Sequence, residues 1–173
     1  KTDQIQKLLN RYVALYSIYD LIIIVDSNGN YITSSSADSK GNPLDLSAIK
    51  KKNFSNDAWF KNVMQKNFLE DAKKGLLGVY LGDVQVDPLT TSAFKKERFG
   101  NSFNAPIYDN NGKIIAIISN RANFAWVEKE FQHLYQNLFQ TKLYSAELTL
   151  IDGNGKILID YAPARHNFDL DAK

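Results

Sequence analysis

The sequence predicts an α+β fold, an antiparallel sheet flanked by helices. Three observations carry this. The stretches "VDSNGNYI" (25–32), "YDNNGKII" (108–115) and "IDGNGKIL" (151–158) repeat one plan, in which an Asp and a turn containing Asn-Gly or Gly separate β-forming residues; each reads as the tip of a hairpin. Apolar residues recur at helical spacing over 3–18 and over about 123–140. The resulting order is helix, hairpin, short helix, strand, hairpin, helix, hairpin, which suits a compact antiparallel sheet bracketed by helices.

In chain order, Ile5, Leu8, Leu9, Tyr12, Val13 and Tyr16 supply the apolar face of the first helix. "YDLIIIVD" is a strand by its β-branching and length; it turns at Asn28-Gly29 and returns as "NYITSS". Asn-Gly tolerates positive φ at both central positions, so a type I′ turn is expected, with the Asp bonding local amides. "SSADSKGNPLDLS" is rich in turn formers and reads as a surface loop. A short helix is expected within "FSNDAWFKNVMQKNF", capped by Ser55, with Asp57 in its first turn and Trp59, Val63 and Met64 on its apolar side. "GLLGVYLGDVQVD" reads as one half-buried strand stopped by Pro88, and "TTSAFKKERFGN" as a polar connection. "SFNAPIYD" and "KIIAIISNR" flank Asn111-Gly112 as the most strongly patterned hairpin. The second helix carries Phe124, Val127, Phe131, Leu134, Tyr135 and Leu138 as its stripe. The third hairpin has no sheet of its own to join, and a lone hairpin is marginal in water. It therefore packs on the first module or opens a second one.

Several functions lack their parts. An EF-hand needs glycine at its sixth position and Glu at its twelfth; after Asp26, glycine comes fourth and Ala37 stands twelfth. There is no cysteine, so disulfides, thiolate metal sites and thiol nucleophiles are excluded. A net charge of +2 within 173 residues is no nucleic-acid footprint, and Lys50-Lys51-Lys52 reads as a solvated turn. No apolar run reaches the ~18 residues of a membrane span. No signal peptide is visible; the chain reads as an excised piece, and any anchors would lie outside it. Nucleophile-elbow, zinc-helix and phosphate-loop motifs do not occur. His133 falls at a solvated side position of the second helix and His166 in an unpatterned tail; Asp83 and Asp87 are four apart with nothing placing a substrate between them. No enzyme, metal or cofactor is expected.

The ordered blocks "IIIVDSNGNYITSS", "DLS", "FSNDAWFKNVM", "GVYLGDVQVDP" and "FNAPIYDNNGKIIAIIS", preceded by a long helix, resemble the extracytoplasmic double-Cache sensor family of bacterial chemoreceptors and sensor kinases. The resemblance covers most of the chain. "LTLIDGNGKILID" is similar to the opening hairpin of that family's membrane-proximal module. It implies a PAS-like sheet, with an N-terminal helix at 1–18, a membrane-distal module at 19–123, a connecting helix at 124–141 and a membrane-proximal module begun at 142–173. It also implies a small-molecule site over the distal sheet, in a periplasmic domain of an inner-membrane receptor that works as a homodimer. The ligand expected is an amino acid, organic acid or amine.

Many amino-acid-binding members of that family place an Arg two residues before the Trp of the short helix, for the ligand carboxylate, and an Asp near the end of the last strand, for the ammonium. This sequence keeps Trp59 and Phe60 but has Asp57 at the Arg position and Arg121 at the Asp position. Such a pocket can hold a reversed zwitterion, a carboxylate alone, or nothing, if Asp57 and Arg121 pair with each other. Tyr80, Asp83, Phe103 and Asn104 complete the candidate site; Trp59 stacks on the ligand or fills the core. The expected function is the sensor of a chemotaxis transducer. The alternatives are the sensor of a histidine kinase or cyclase, or a ligand-free interaction domain using Tyr12, Tyr16, Phe131 and Tyr135.

Overall fold

A computed structural model describes residues 2–74 and 76–161, leaving aside the side chains at 69, 70, 72, 76 and 77. His166 and the rest of the tail lie outside the described residues. The chain divides into two compact units, one ending at Asn123 and the other beginning at Phe124. Among the described residues no helix is long and apolar enough to cross a membrane.

In the first unit, helix α1 (Thr2–Tyr16) leads into strands β1 (Tyr19–Asp26) and β2 (Tyr31–Ser34). Helices α2 (Ser47–Lys51) and α3 (Ala58–Met64) follow, then β3 (Leu69–Asp71), β4 (Leu76–Leu81) and β5 (Gln85–Val86). Helix α4 (Pro88–Phe94) precedes the long hairpin of β6 (Phe99–Tyr108) and β7 (Ile114–Asn123). The sheet runs β2-β1-β7-β6-β4-β3, with β5 beside β6, and the pairings among these strands are antiparallel. Its period-two burial splits the core. Leu21, Ile23, Val25 and Ile117 pack under Phe54, Trp59, Phe60, Val63 and Leu89 on one side, while Ile22 meets Leu9 and Val13 of α1 on the other. Of the apolar face expected on α1, only Leu9 and Val13 are buried; Ile5, Leu8, Tyr12 and Tyr16 stay exposed.

The repeated turns have one geometry, and it is not type I′. At 26–30 the Asp26 amide donates to Asn30 O, Gly29 N–H donates to Asp26 O, and Asp26 Oδ1 accepts from the Asn28 and Asn30 amides. Gly29 has φ +82°, whereas Asn28 keeps an ordinary φ. Asp109 with Gly112 and Asp152 with Gly155 repeat these bonds. One left-handed glycine after an ordinary turn is the three-residue hairpin loop. A fourth copy, "DSKGN" at 38–42, went unrecognised in the sequence because only the single bridge Ala37–Pro43 flanks it, where the others have strands.

Other expectations are corrected. Ser55 does not cap α3: the N-cap residue is Asp57, whose side chain makes no capping bond. The stretch expected as one strand breaks at 82–84 into β4 and β5. The first five residues of the expected polar connection, 90–94, belong to α4, which starts at Pro88 because Asp87 accepts from the Leu89 and Thr90 amides while Pro88 occupies the first turn, where its missing N–H costs nothing. Lys50 and Lys51 belong to α2 rather than to a turn.

In the second unit, α5 (Ala125–Gln140) precedes the hairpin of β8 (Leu148–Ile151) and β9 (Ile157–Tyr161), which forms a two-stranded sheet separate from the larger one. Tyr135 is buried and meets the Tyr161 ring edge-on at 5.1 Å. Leu134 is exposed despite its place in the predicted stripe, and His133 is exposed as expected.

Candidate functional site

β7 carries the chemistry. Arg121 alternates with buried Ser119 and pairs across the hairpin with Ser102 of β6, so both side chains rise from the sheet face under α3 and α4. The break after β4 leaves Gly82 and Asp83 at the edge of this face. Opposite, α3 brings Asp57, Ala58 and Trp59, and α4 brings Pro88 and Leu89. Together with Lys52, Tyr80 and Gln85 these residues line a cavity of about 270 Å³. That is slightly below the size of sites for drug-like molecules and suits a smaller ligand.

Arg121 is the centre of this arrangement and is only 5% exposed. Its Nη1 donates to Asp87 Oδ2 at 2.9 Å, while Asp87 Oδ1 caps α4. The guanidinium carbon lies 5.1 Å from the Trp59 ring centroid, a cation–π contact. Nε and Nη2 are buried and donate to no described protein group. These two nitrogens form the side edge of the guanidinium, the fork that takes a carboxylate bidentately, as Arg98 shows with Asp20 at 2.9 and 2.6 Å. Buried donors without acceptors are costly, so an acceptor brought to this edge would be favoured. Neither nitrogen is open to solvent; a ligand oxygen reaches them only by displacing a side chain packed over the guanidinium, of which Trp59 is one.

Asp57 does not pair with Arg121. Its Oδ2 lies 2.9 Å from Lys52 Nζ and accepts from Trp59 Nε1 at 3.2 Å, so it fixes the indole rather than closing the cavity. Trp59 serves two surfaces, packing in the core against Phe54 and Phe60 while walling the cavity. Asp83 stands exposed at the edge, and Tyr80 adds its side to the wall.

Asp57, Trp59, Tyr80, Asp83 and Arg121 are thus brought together, and two of the predicted residues are not. Phe103 is next to Ser102 on β6, and strand alternation sends it to the opposite sheet face. Asn104 shares the Ser102 face but is fully buried with its amide committed: Nδ2 donates to Tyr80 O and Ser102 Oγ, and Oδ1 accepts from Ser119. It ties β4, β6 and β7 together beneath the cavity. The residue missed in the sequence is Asp87. Its signal is present as "VDPL", a capping Asp before Pro at a helix start, although the same residues also suit a strand that ends in a capped turn.

No known family model matches the sequence, and no curated protein matches it. Solved structures do. The sensor domain of the V. cholerae histidine kinase DctB is similar with TM-score 0.50 at 18% identity over 92% of this chain and 49% of that one. The extracellular domain of vpHK1S-Z8, described as a histidine kinase, is similar with TM-score 0.52 at 9% identity over 85% of this chain and 64% of that one. The chain therefore spans about half the length of the first and less than two thirds of the second. The likeness establishes the fold, α+β with a mostly antiparallel, PAS-like sheet.

Proposed function

We propose that the chain is the extracytoplasmic sensor region of a membrane-anchored bacterial receptor and binds a small carboxylate-bearing molecule in the cavity at Arg121. The observation that carries this reading is the buried, unpartnered Nε/Nη2 edge of Arg121 beside a cavity walled by an indole. A ligand carboxylate on that edge satisfies both donors and moves α3 through Trp59. Ligand binding shifts a receptor only by its differential affinity for two states, and an indole that covers the fork in one state and yields it in the other provides that difference. The histidine-kinase sensors that share the fold favour a kinase output as strongly as the chemotaxis output the sequence resemblance suggests.

A thermal-shift screen with organic acids, amino acids and amines identifies the ligand, since binding to the folded state alone raises the melting temperature. Calorimetry then compares variants. Arg121→Lys retains a cation for Asp87 but has no fork; it loses about thirtyfold or more in affinity, the equivalent of about 2 kcal/mol, while Lys50→Ala binds as the wild type. Equal affinity in Arg121→Lys removes the site assignment. A second reading, a ligand-free interaction domain, draws on the exposed Tyr12 and Tyr16, stacked at 5.9 Å on α1; a screen without any stabilising small molecule favours it.

A further inference from the structure

We propose that Asp87 sets the charge selectivity of the cavity, acting as a positioning residue that already neutralises Arg121 and so makes the free edge read the geometry of a ligand more than its charge. The inference rests on the reading that the cavity takes a carboxylate. It starts from the way Asp87 divides its two oxygens. Oδ1 accepts from Leu89 N at 2.8 Å and Thr90 N at 3.1 Å, anchoring the carboxylate to the first turn of α4. Oδ2 accepts from Arg121 Nη1 at 2.9 Å. Both residues are about 95% buried, at 4% and 5% exposure, so solvent and salt screen this pair little.

Two consequences follow. First, holding Nη1 fixes the plane of the guanidinium and leaves Nε and Nη2, buried beside the cavity, without an acceptor. Second, a carboxylate on that edge meets a cation whose charge is already answered, with a like charge facing it across one guanidinium. The other cation of the lining, Lys52, is likewise paired, with Asp57. A second carboxylate, Asp20, lies near Asp87 but is matched by Arg98. The cavity thus holds no excess positive charge to draw in an anion. What stands beside it is two buried N–H donors next to an indole, which a flat group carrying an acceptor oxygen satisfies once the covering side chain yields.

The test compares matched acids and amides: acetate, propionate, butyrate and benzoate, each against its carboxamide. Titrations follow the Trp59 indole N–H signal by NMR in wild type and in Asp87→Asn. Asn keeps an oxygen to cap α4 but removes both the charge and the acceptor for Nη1, leaving a bound acid as the counter-ion of Arg121. The acid-to-amide affinity ratio is expected to rise tenfold or more in Asp87→Asn. A purely structural role for Asp87 weakens acid and amide together and leaves the ratio where it was. An unchanged or lower ratio in the variant overturns the inference while Arg121-dependent binding stands. Binding by none of the acids in wild type overturns both readings. Asp87→Ser, which also keeps a capping oxygen without charge, repeats the comparison should the Asn variant lose its folded spectrum.

Discussion

Gly29 and Gly112 hold the same place in two copies of one turn, yet their surroundings separate them. Both have positive φ, +82° and +77°. A Cβ on Gly29 would stand 2.4 Å from the Ser55 amide nitrogen, whereas one on Gly112 meets nothing within 4 Å. Gly112→Ala therefore costs only the left-handed conformation, about 1 kcal/mol. Gly29→Ala adds a backbone clash and costs about 2 kcal/mol more, which paired urea denaturation curves resolve. The clash bears on function, because Gly29 O accepts from the Phe54 amide and Asn53 Nδ2 donates to Asn28 O. The first turn thus holds the segment that leads into α3 and Trp59. Arg121 was singled out by the family resemblance, as the residue at the position of the family's Asp, but its partner was not: nothing local distinguishes Asp57, Asp83 and Asp87 as its counter-ion.

Among the elements, those built on local rules were legible and those built on contact were not. α1, β1, β2 and the β6–β7 hairpin show strong periodicity and clear turns, and all are present. α4 was lost because "TTSAF" is a weak helix former. It exists through its Asp87 cap, the burial of Leu89, Thr90 and Ala93, and Arg98, which stacks on Phe94 at 4.3 Å while gripping Asp20. Two of the Asp turns, at Asp26 and Asp38, also titrate below the ordinary range. For Asp26, slight burial pushes the carboxyl up, but the Asn30 side chain and the amides of Asn30, Asn28 and Gly29 outweigh it and hold the group below its ordinary value of 3.8. Asp38 is lowered in the same way by Asn42 and Lys40. A folded value below the unfolded one gives stability that is present above 3.8 and lost as pH falls through the folded value. Asp26→Asn keeps an acceptor for the amides but does not titrate, so its loss of stability on acidification below pH 3.8 is shallower than that of wild type. Urea midpoints at neutral and acidic pH measure the difference.

At the scale of the whole molecule, the division at Asn123 and Phe124 gives the first unit its own sheet, both its core clusters and the complete lining of the Arg121 cavity. A unit with its own core folds by itself. A fragment of residues 2–123 is expected to unfold in one cooperative step and to bind the ligand with the affinity of the longer chain, as calorimetry and thermal denaturation can check. Loss of binding in a folded fragment would mean that the second unit contributes to the site. In that unit the β8–β9 hairpin stays outside the larger sheet, in keeping with a second module begun at 142–173, which we retain as a proposal.

The sequence alone determined the α+β class and the places of the hairpins, because turn chemistry and side-chain periodicity act over a few residues and leave their mark in the order of the chain; Arg121 was singled out by the family resemblance instead. Only the tertiary structure decided which carboxylate neutralises that guanidinium, that Phe103 faces away, and that Asn104 is spent on internal bonds. Those outcomes depend on the break at 82–84, on strand register and on a helix held by its cap, which together bring residues 57, 87 and 121 around one cavity. Burial then turns that proximity into chemistry, since a guanidinium removed from water must find its acceptors within reach.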